Sequence, residues 1–197
     1  MKIIAVLGSP RASGNSAFIA NRFLQAARKL GADTQSFALN TLKYRGCQAC
    51  MACKKSSDKC VLKDDLTDVL DAVQSADVLV MASPVYFGDL TGQMKTFFDR
   101  TYAYFTPDYL QPDKKRSRLA EGKKLVFVLT QGMPDEKYFA DVFPRYSMFL
   151  KLYGFGEMHL IRACGLGNSD DASKRQDLLK LADETAAKVA GVNNRPG

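Results

Sequence analysis

The feature that most constrains this chain is an alternation between two hydrophobic periods. Five short apolar runs read as strands: Lys2 to Leu7, Ala32 to Leu39, Asp77 to Ala82, Lys124 to Thr130 and Met158 to Ala163. Segments with helical spacing separate them. Ala20, Phe23, Leu24 and Ala27 fall at i, i+3, i+4 and i+7, and Leu66, Val69, Leu70 and Val73 repeat the pattern behind a cap at Asp64 or Asp65. A third helix is expected from Thr91 to about Ala103. A fourth has Pro144 in its first turn and Tyr146, Phe149, Leu150 and Tyr153 on one face. A fifth is marked by Leu178, Leu181, Ala182, Thr185 and Val189. Strands apolar on both sides need helices on both sides, so the pattern predicts one parallel sheet between two helical layers. Nothing divides the 197 residues into two units, and a core of this size needs no disulfide or metal staple. A single domain, 1–197, is expected, with a cysteine-rich insertion at 43–63, a long polar loop at 104–121, and a frayed tail after Ala190.

Five strands alternating with helices fit the doubly wound order 2-1-3-4-5, in which ligands bind where the order reverses, beyond the C-terminal ends of strands one and three. The loops at that point are Gly8 to Ser16 and Ser83 to Asp89. The first has the chemistry of a phosphate cradle. Gly8 and Gly14 allow close backbone approach, Ser9, Ser13 and Ser16 offer hydroxyls, Asn15 offers an amide, and Arg11 offers a charged fork. The helix that follows turns its N-terminal amides to the same place. No Lys completes a G-x-x-x-x-G-K pattern, and the G-x-G-x-x-G fingerprint of dinucleotide sites is absent. In the second loop, Pro84 fixes a turn after Ser83. Tyr86 and Phe87 are placed to flank a planar ring, and Gly88 to bring an amide to its edge.

On these residues the chain resembles the NADPH-dependent FMN reductase family, whose fold is flavodoxin-like. Gly8-Ser9-Pro10-Arg11 with Gly14-Asn15-Ser16 is similar to that family's phosphate loop. Ser83-Pro84-Val85-Tyr86-Phe87-Gly88 resembles the segment beside the isoalloxazine ring, and Thr130-Gln131-Gly132 a third ring-contacting loop. The run Thr91-Gly92-Gln93-Met94-Lys95, with Phe98-Asp99-Arg100, is similar to that family's next helix. The resemblance spans residues 1 to about 165 and implies FMN as cofactor, with NAD(P)H as a possible electron donor.

Four of the five cysteines, Cys47, Cys50, Cys53 and Cys60, stand at C-x2-C-x2-C-x6-C spacing. The opening matches a bacterial ferredoxin run, and the longer last interval lets the chain fold back to complete one site. Structural zinc more often takes two separated C-x2-C pairs, and a metal-free cysteine loop also fits the spacing. The pattern is similar to that of the iron-sulfur flavoproteins, a branch of the same family, which implies a [4Fe-4S] cluster placed near a flavin of this subunit or a partner. Lys54, Lys55 and Lys59 would favour thiolate there. Cys164 reads as a buried structural thiol and His159, the only histidine, as a satisfied strand residue. No Ser-His-Asp set supports hydrolysis.

Charge and hydropathy exclude other classes. The net charge of +7 suits a solvated surface. The densest basic run, Lys114 to Arg118, has no interleaved aromatics, so nucleic acid is not an expected partner. Ile3 to Leu7 is too short for a signal sequence, and no run approaches the ~20 apolar residues of a membrane span. A cytoplasmic protein with reduced thiols is expected. The reading is an FMN-dependent oxidoreductase passing electrons through a [4Fe-4S] cluster. The alternatives are a cluster-free NAD(P)H-dependent FMN or quinone reductase, and a flavodoxin-like FMN carrier without turnover. A homodimer or homotetramer and a ferredoxin-type carrier are the expected partners.

Overall fold

The computed structural model describes residues 1–191; positions 192–197 of the tail expected to fray lie outside them. The sheet contains β1 (Lys2–Leu7), β2 (Asp33–Ala38), β3 (Val78–Tyr86), β5 (Lys123–Thr130) and β6 (Phe155–Ala163), parallel and in the order β2-β1-β3-β5-β6. That is the expected 2-1-3-4-5 arrangement, and the fold is flavodoxin-like. The sheet has one addition, the two-residue β4 (Asp89–Leu90), which runs antiparallel to the end of β3.

Period-two alternation decides what each face of the sheet buries. Ile3, Ala5 and Leu7 of β1 join Val78, Val80 and Ala82 of β3 and Val126 and Val128 of β5 under α1 (Asn15–Lys29) and α6 (Gln176–Val189). The intervening residues Ile4, Val6, Leu79, Met81, Leu125 and Phe127 face the opposite way, under α3 (Leu66–Ser75), α4 (Gly92–Arg100) and α5 (Val142–Leu152). The short α2 (Ala52–Lys55) lies within the cysteine-rich insertion.

Three of the departures from expectation have local reasons. β3 continues through Ser83 and Pro84 to Tyr86 because Val85 and Tyr86 pair with Leu90 and Asp89. Phe87 (φ +49°) and Gly88 (φ +80°) make the turn, a left-handed pair that matches strand twist in a two-residue hairpin. β6 starts at Phe155 rather than Met158. As an edge strand it alternates with Glu157 and His159, whose side chains meet at 2.6 Å, and this polar pair interrupts the apolar run. The segment 104–121 is not simply an exposed polar loop. Phe105 bridges Ser117, both are buried, and Leu119 is buried behind them. No helix among the described residues is long and apolar enough to cross a membrane.

Candidate functional site

Thr91, which caps α4, ties the exits of β1 and β3 together. Its Oγ1 donates to the Gly8 carbonyl at 2.7 Å and accepts from the Met94 amide at 3.3 Å, while its amide donates to Ser83 Oγ at 3.1 Å. Packing here leaves no room for larger residues. A Cβ on Gly8 would stand 2.7 Å from Met94 Cβ, and one on Gly14 would stand 2.6 Å from Ser9 Oγ.

A cavity of about 280 Å³ opens at this convergence. It is lined by Ser9, Arg11, Asn15 and Ser16 from the first loop, Pro84, Val85 and Tyr86 from the second, and Thr130, Gln131 and Gly132 from the third. Three candidates do not line it. Ser13 is exposed on the outer side of its loop. The hairpin turn carries Phe87 fully into solvent, with Gly88 beside it. Leu166, Gly167 and Asn168 complete the wall, although the sequence offered no sign of them. Asn15 ties them to the first loop: its amide donates to the Asn168 carbonyl at 2.7 Å and its Oδ1 accepts from the Ala172 amide at 2.9 Å. Asn15 thus braces the loop after β6. Gln131 plays a similar part: its amide donates to the Met133 and Asp135 carbonyls, and its Oε1 accepts from Arg162.

The polar end of the cavity is built for an anion. No side chain caps α1, so its first-turn amides are open to the cavity. Ser16 is buried in that turn, and its hydroxyl is, among the described residues, the buried side-chain polar atom without a hydrogen-bond partner. Buried hydroxyls are normally satisfied, so this one calls for an oxygen-rich ligand. A single terminal phosphate fits the donor set of amides, hydroxyl and Arg11.

The four clustered cysteines line a second, smaller space with Arg100 and Tyr102. Cys47 and Cys50 are exposed; Cys53 and Cys60 are half-buried; all five thiols of the chain are free. Ala49 (φ +51°) and Met51 (φ +59°), on either side of Cys50, are left-handed. Such strain in non-glycine residues gathers at functional loops. Among the described residues, no three His, Cys, Asp or Glu side chains converge closely enough as they stand to grip one metal ion.

Of the three lysines expected beside this loop, Lys54 alone bonds to a cysteine. Lys54 donates to Cys53 Sγ at 3.5 Å and to the Tyr102 and Phe105 carbonyls. Burial lowers its pKa from the ordinary lysine value. Lys59 instead pairs with Asp71 at 2.9 Å, and Lys55 is exposed. Arg100, which the spacing did not single out, is 1% exposed and donates from Nε to Cys60 Sγ at 3.1 Å. Its other donors reach Asp64 Oδ2 at 2.8 Å, Asp64 Oδ1 at 3.3 Å and the carbonyls of Arg45 and Leu62. Burial opposes ionisation of Asp64, but Arg100 and the Arg45 amide hold its carboxyl below the usual carboxylate range. Cys164 is half-buried rather than buried.

The two sites share no lining residue. Gly8 and Thr91 mark one at the start of α4, and Arg100 marks the other at its end. Nine residues at 1.5 Å each separate those ends by about 13 Å.

Comparison with known proteins places this geometry. The chain is 31% identical over 122 residues to an iron-sulfur flavoprotein of Methanosarcina thermophila, a match covering 62% of this chain and 63% of that one. It is 27% identical over 196 residues to an FMN-dependent NADH:quinone oxidoreductase of Alteromonas mediterranea, covering 91% and 97%. Among solved structures, an FMN-dependent NADH-azoreductase of Bacillus anthracis in complex with FMN superimposes with a TM-score of 0.74 at 14% identity, over 96% of this chain and 100% of that one. Residues 1–136 match the model of the NADPH-dependent FMN reductase family, and the chain belongs to that family.

Proposed function

We propose that the protein is an FMN-dependent oxidoreductase that takes electrons from a reduced donor such as NAD(P)H and delivers them through a [4Fe-4S] cluster on its cysteine loop. The observation that carries the flavin reading is the buried, unpartnered hydroxyl of Ser16 at the uncapped start of α1, inside the cavity where three loops meet. FMN, when bound, accepts a hydride and releases electrons singly or in pairs. The chain's own part is to hold and orient it. Arg11, Ser9, Ser16 and the α1 amides take the phosphate. Pro84, Val85 and Tyr86 line one side of the ring, and the backbone of Thr130, Gln131 and Gly132 meets its polar edge. Ser13, Phe87 and Gly88 stand outside this cavity.

The cluster reading rests on the donor set. Four thiols and no His, Asp or Glu side chain line one space, and the half-buried pair accepts hydrogen bonds from Arg100 and Lys54. A four-iron cube spreads its thiolates at its corners, farther apart than ligands on one ion. The exposed Cys47 and Cys50 leave the outer wall of the space unpacked. A cluster, when held, passes one electron at a time, which suits a ferredoxin-type carrier. A second reading, a cluster-free quinone reductase, is favoured by the near full-length match to the Alteromonas oxidoreductase. We place the protein in the cytoplasm, where its free thiols stay reduced, and as a homodimer or homotetramer. An apolar groove along α4 and α5, lined by Phe98, Tyr102, Phe105, Tyr109 and Phe149, supports assembly.

Anaerobic purification with iron, sulfide and flavin assays separates the two readings. Four irons per chain with FMN is the expected result; FMN without iron gives the lead to the quinone reductase. The flavin site is tested by titrating FMN into apoprotein of wild type and Ser16→Ala. A hydrogen bond to a charged group is worth about 1.5–3 kcal/mol, so affinity should fall roughly 10- to 150-fold. Apoprotein stability should hold, since the lost hydroxyl has no partner within the chain. Unchanged FMN affinity overturns the phosphate assignment.

A further inference from the structure

The cysteine site is electrostatically lopsided. Cys47 and Cys50 face solvent, while each of the two half-buried cysteines accepts a hydrogen bond from a cation. Arg100 Nε donates to Cys60 Sγ at 3.1 Å, and Lys54 Nζ to Cys53 Sγ at 3.5 Å. Arg100 is 1% exposed, and its remaining donors are occupied. Its four Nη hydrogens are taken by both oxygens of Asp64 and by the carbonyls of Arg45 and Leu62. Those contacts would satisfy its charge and fasten the loop to α4. The Nε donor is left over, and the guanidinium plane aims it at sulfur. Lys54 is held just as firmly, by the Tyr102 and Phe105 carbonyls and by the Tyr102 ring, 4.1 Å from the ammonium.

We propose that Arg100 and Lys54 are positioning residues that set the reduction potential of the group the four cysteines hold. The proposal rests on the cluster reading given above. One-electron reduction of an iron-sulfur cluster increases the negative charge on its iron and sulfur atoms, the cysteine Sγ included. Donors already aimed at those sulfurs bind the reduced state more strongly than the oxidised one, and the potential rises. Because both donors are pinned by other partners, they need no reorganisation when the electron arrives. The exposed Cys47 and Cys50 edge is left as the side from which a one-electron carrier approaches.

The test is a spectroelectrochemical titration of the anaerobically purified holoprotein, in wild type, Lys54→Met, Lys54→Arg and Arg100→Lys. Lys54→Met keeps an apolar stem over Tyr102 and removes the donor. Arg100→Lys keeps a charge for Asp64 and loses the fork that reaches Cys60. With iron content equal to wild type, Lys54→Met and Arg100→Lys should each lower the equilibrium constant for one-electron cluster reduction about tenfold, a 59 mV fall. Lys54→Arg should restore most of it. The flavin potential should stay fixed in every variant, because neither residue lines the flavin cavity. Lys54→Met keeps the test open if Arg100→Lys fails to fold. Cluster potentials unchanged in iron-replete variants overturn this inference alone. Wild type that holds no iron overturns the cluster reading and this inference with it.

Discussion

Phe87 stands at φ +49° with its ring wholly in solvent, a backbone and a side chain that both cost free energy. Left-handed geometry in a bulky residue costs on the order of 1–3 kcal/mol, and the turn it occupies prefers Asn-Gly. Phe87→Asn should therefore stabilise the isolated subunit by about 1 kcal/mol, raising Tm by roughly 2–4 °C for a chain of this length. Differential scanning calorimetry checks it at protein concentrations low enough to keep the chain monomeric. A lower Tm in the variant would mean that the Phe87 ring contributes to the fold itself. At this scale the first loop could be picked out as a cavity wall, because its glycines, hydroxyls and Arg11 lie within nine residues of one another. Phe87 was hard to read: Gly88 beside it signals a turn, but an aromatic after a strand reads as ring-facing, and its ring stands in solvent. Leu166, Gly167 and Asn168 were invisible for a different reason. They reach the cavity through a contact between Asn15 and Asn168, 153 residues apart, and no local pattern records it.

The cysteine-rich insertion and the segment 104–121 read in the sequence as two separate irregular stretches. They are one structural unit. Arg118 donates to the carbonyls of Ala103 and Phe105 on its own segment and to the Cys53 carbonyl across the gap at 2.8 Å. Lys54 returns the connection by donating to the Phe105 carbonyl. Each segment supplies carbonyls that the other's cation satisfies. The basic run Lys114 to Arg118 hid this because four cations in five residues look like solvated surface, whereas Arg118 is half-buried and the other three are exposed. Arg118→Met keeps the stem and removes five donors. Amide hydrogen exchange should then show protection falling together in residues 47–60 and 105–118, with the sheet unaffected. Loss in one segment only would break the coupling. The long helices needed no such long-range information. Their periodic apolar faces decide where they lie, and caps such as Thr91 act within three residues.

Across the whole molecule, the strand order was legible because both faces of β1, β3 and β5 are apolar, which only a covered parallel sheet tolerates. The placement of the cysteines relative to the flavin cavity was not. They follow the second strand, whose exit neighbours that of the first, yet the insertion runs along α4, with Tyr44 bonded to Gln93, and sets Cys60 against Arg100 at the far end of that helix. The position depends on Arg100, whose side chain gathers Arg45, Cys60, Leu62 and Asp64 around one guanidinium, and no spacing rule predicts that. Separation has a consequence for Cys60→Ser. The serine hydroxyl still accepts from Arg100 Nε, so the brace survives and the loop should remain docked. Cys60 does not line the flavin cavity, so FMN affinity should stay within about twofold, well inside the 1.4 kcal/mol that a tenfold change represents, and the Tm of the iron-free protein should be unchanged. Reduction of the flavin by its donor should persist while delivery to a one-electron protein carrier falls. Anaerobic stopped-flow spectroscopy that follows flavin and ferredoxin in the same mixture separates the two steps, and small dyes are avoided because they can bypass the cysteine site. Equal carrier reduction in wild type and Cys60→Ser would remove the cysteine loop from the electron path; a loss of FMN binding would show that the two ends of α4 are coupled after all.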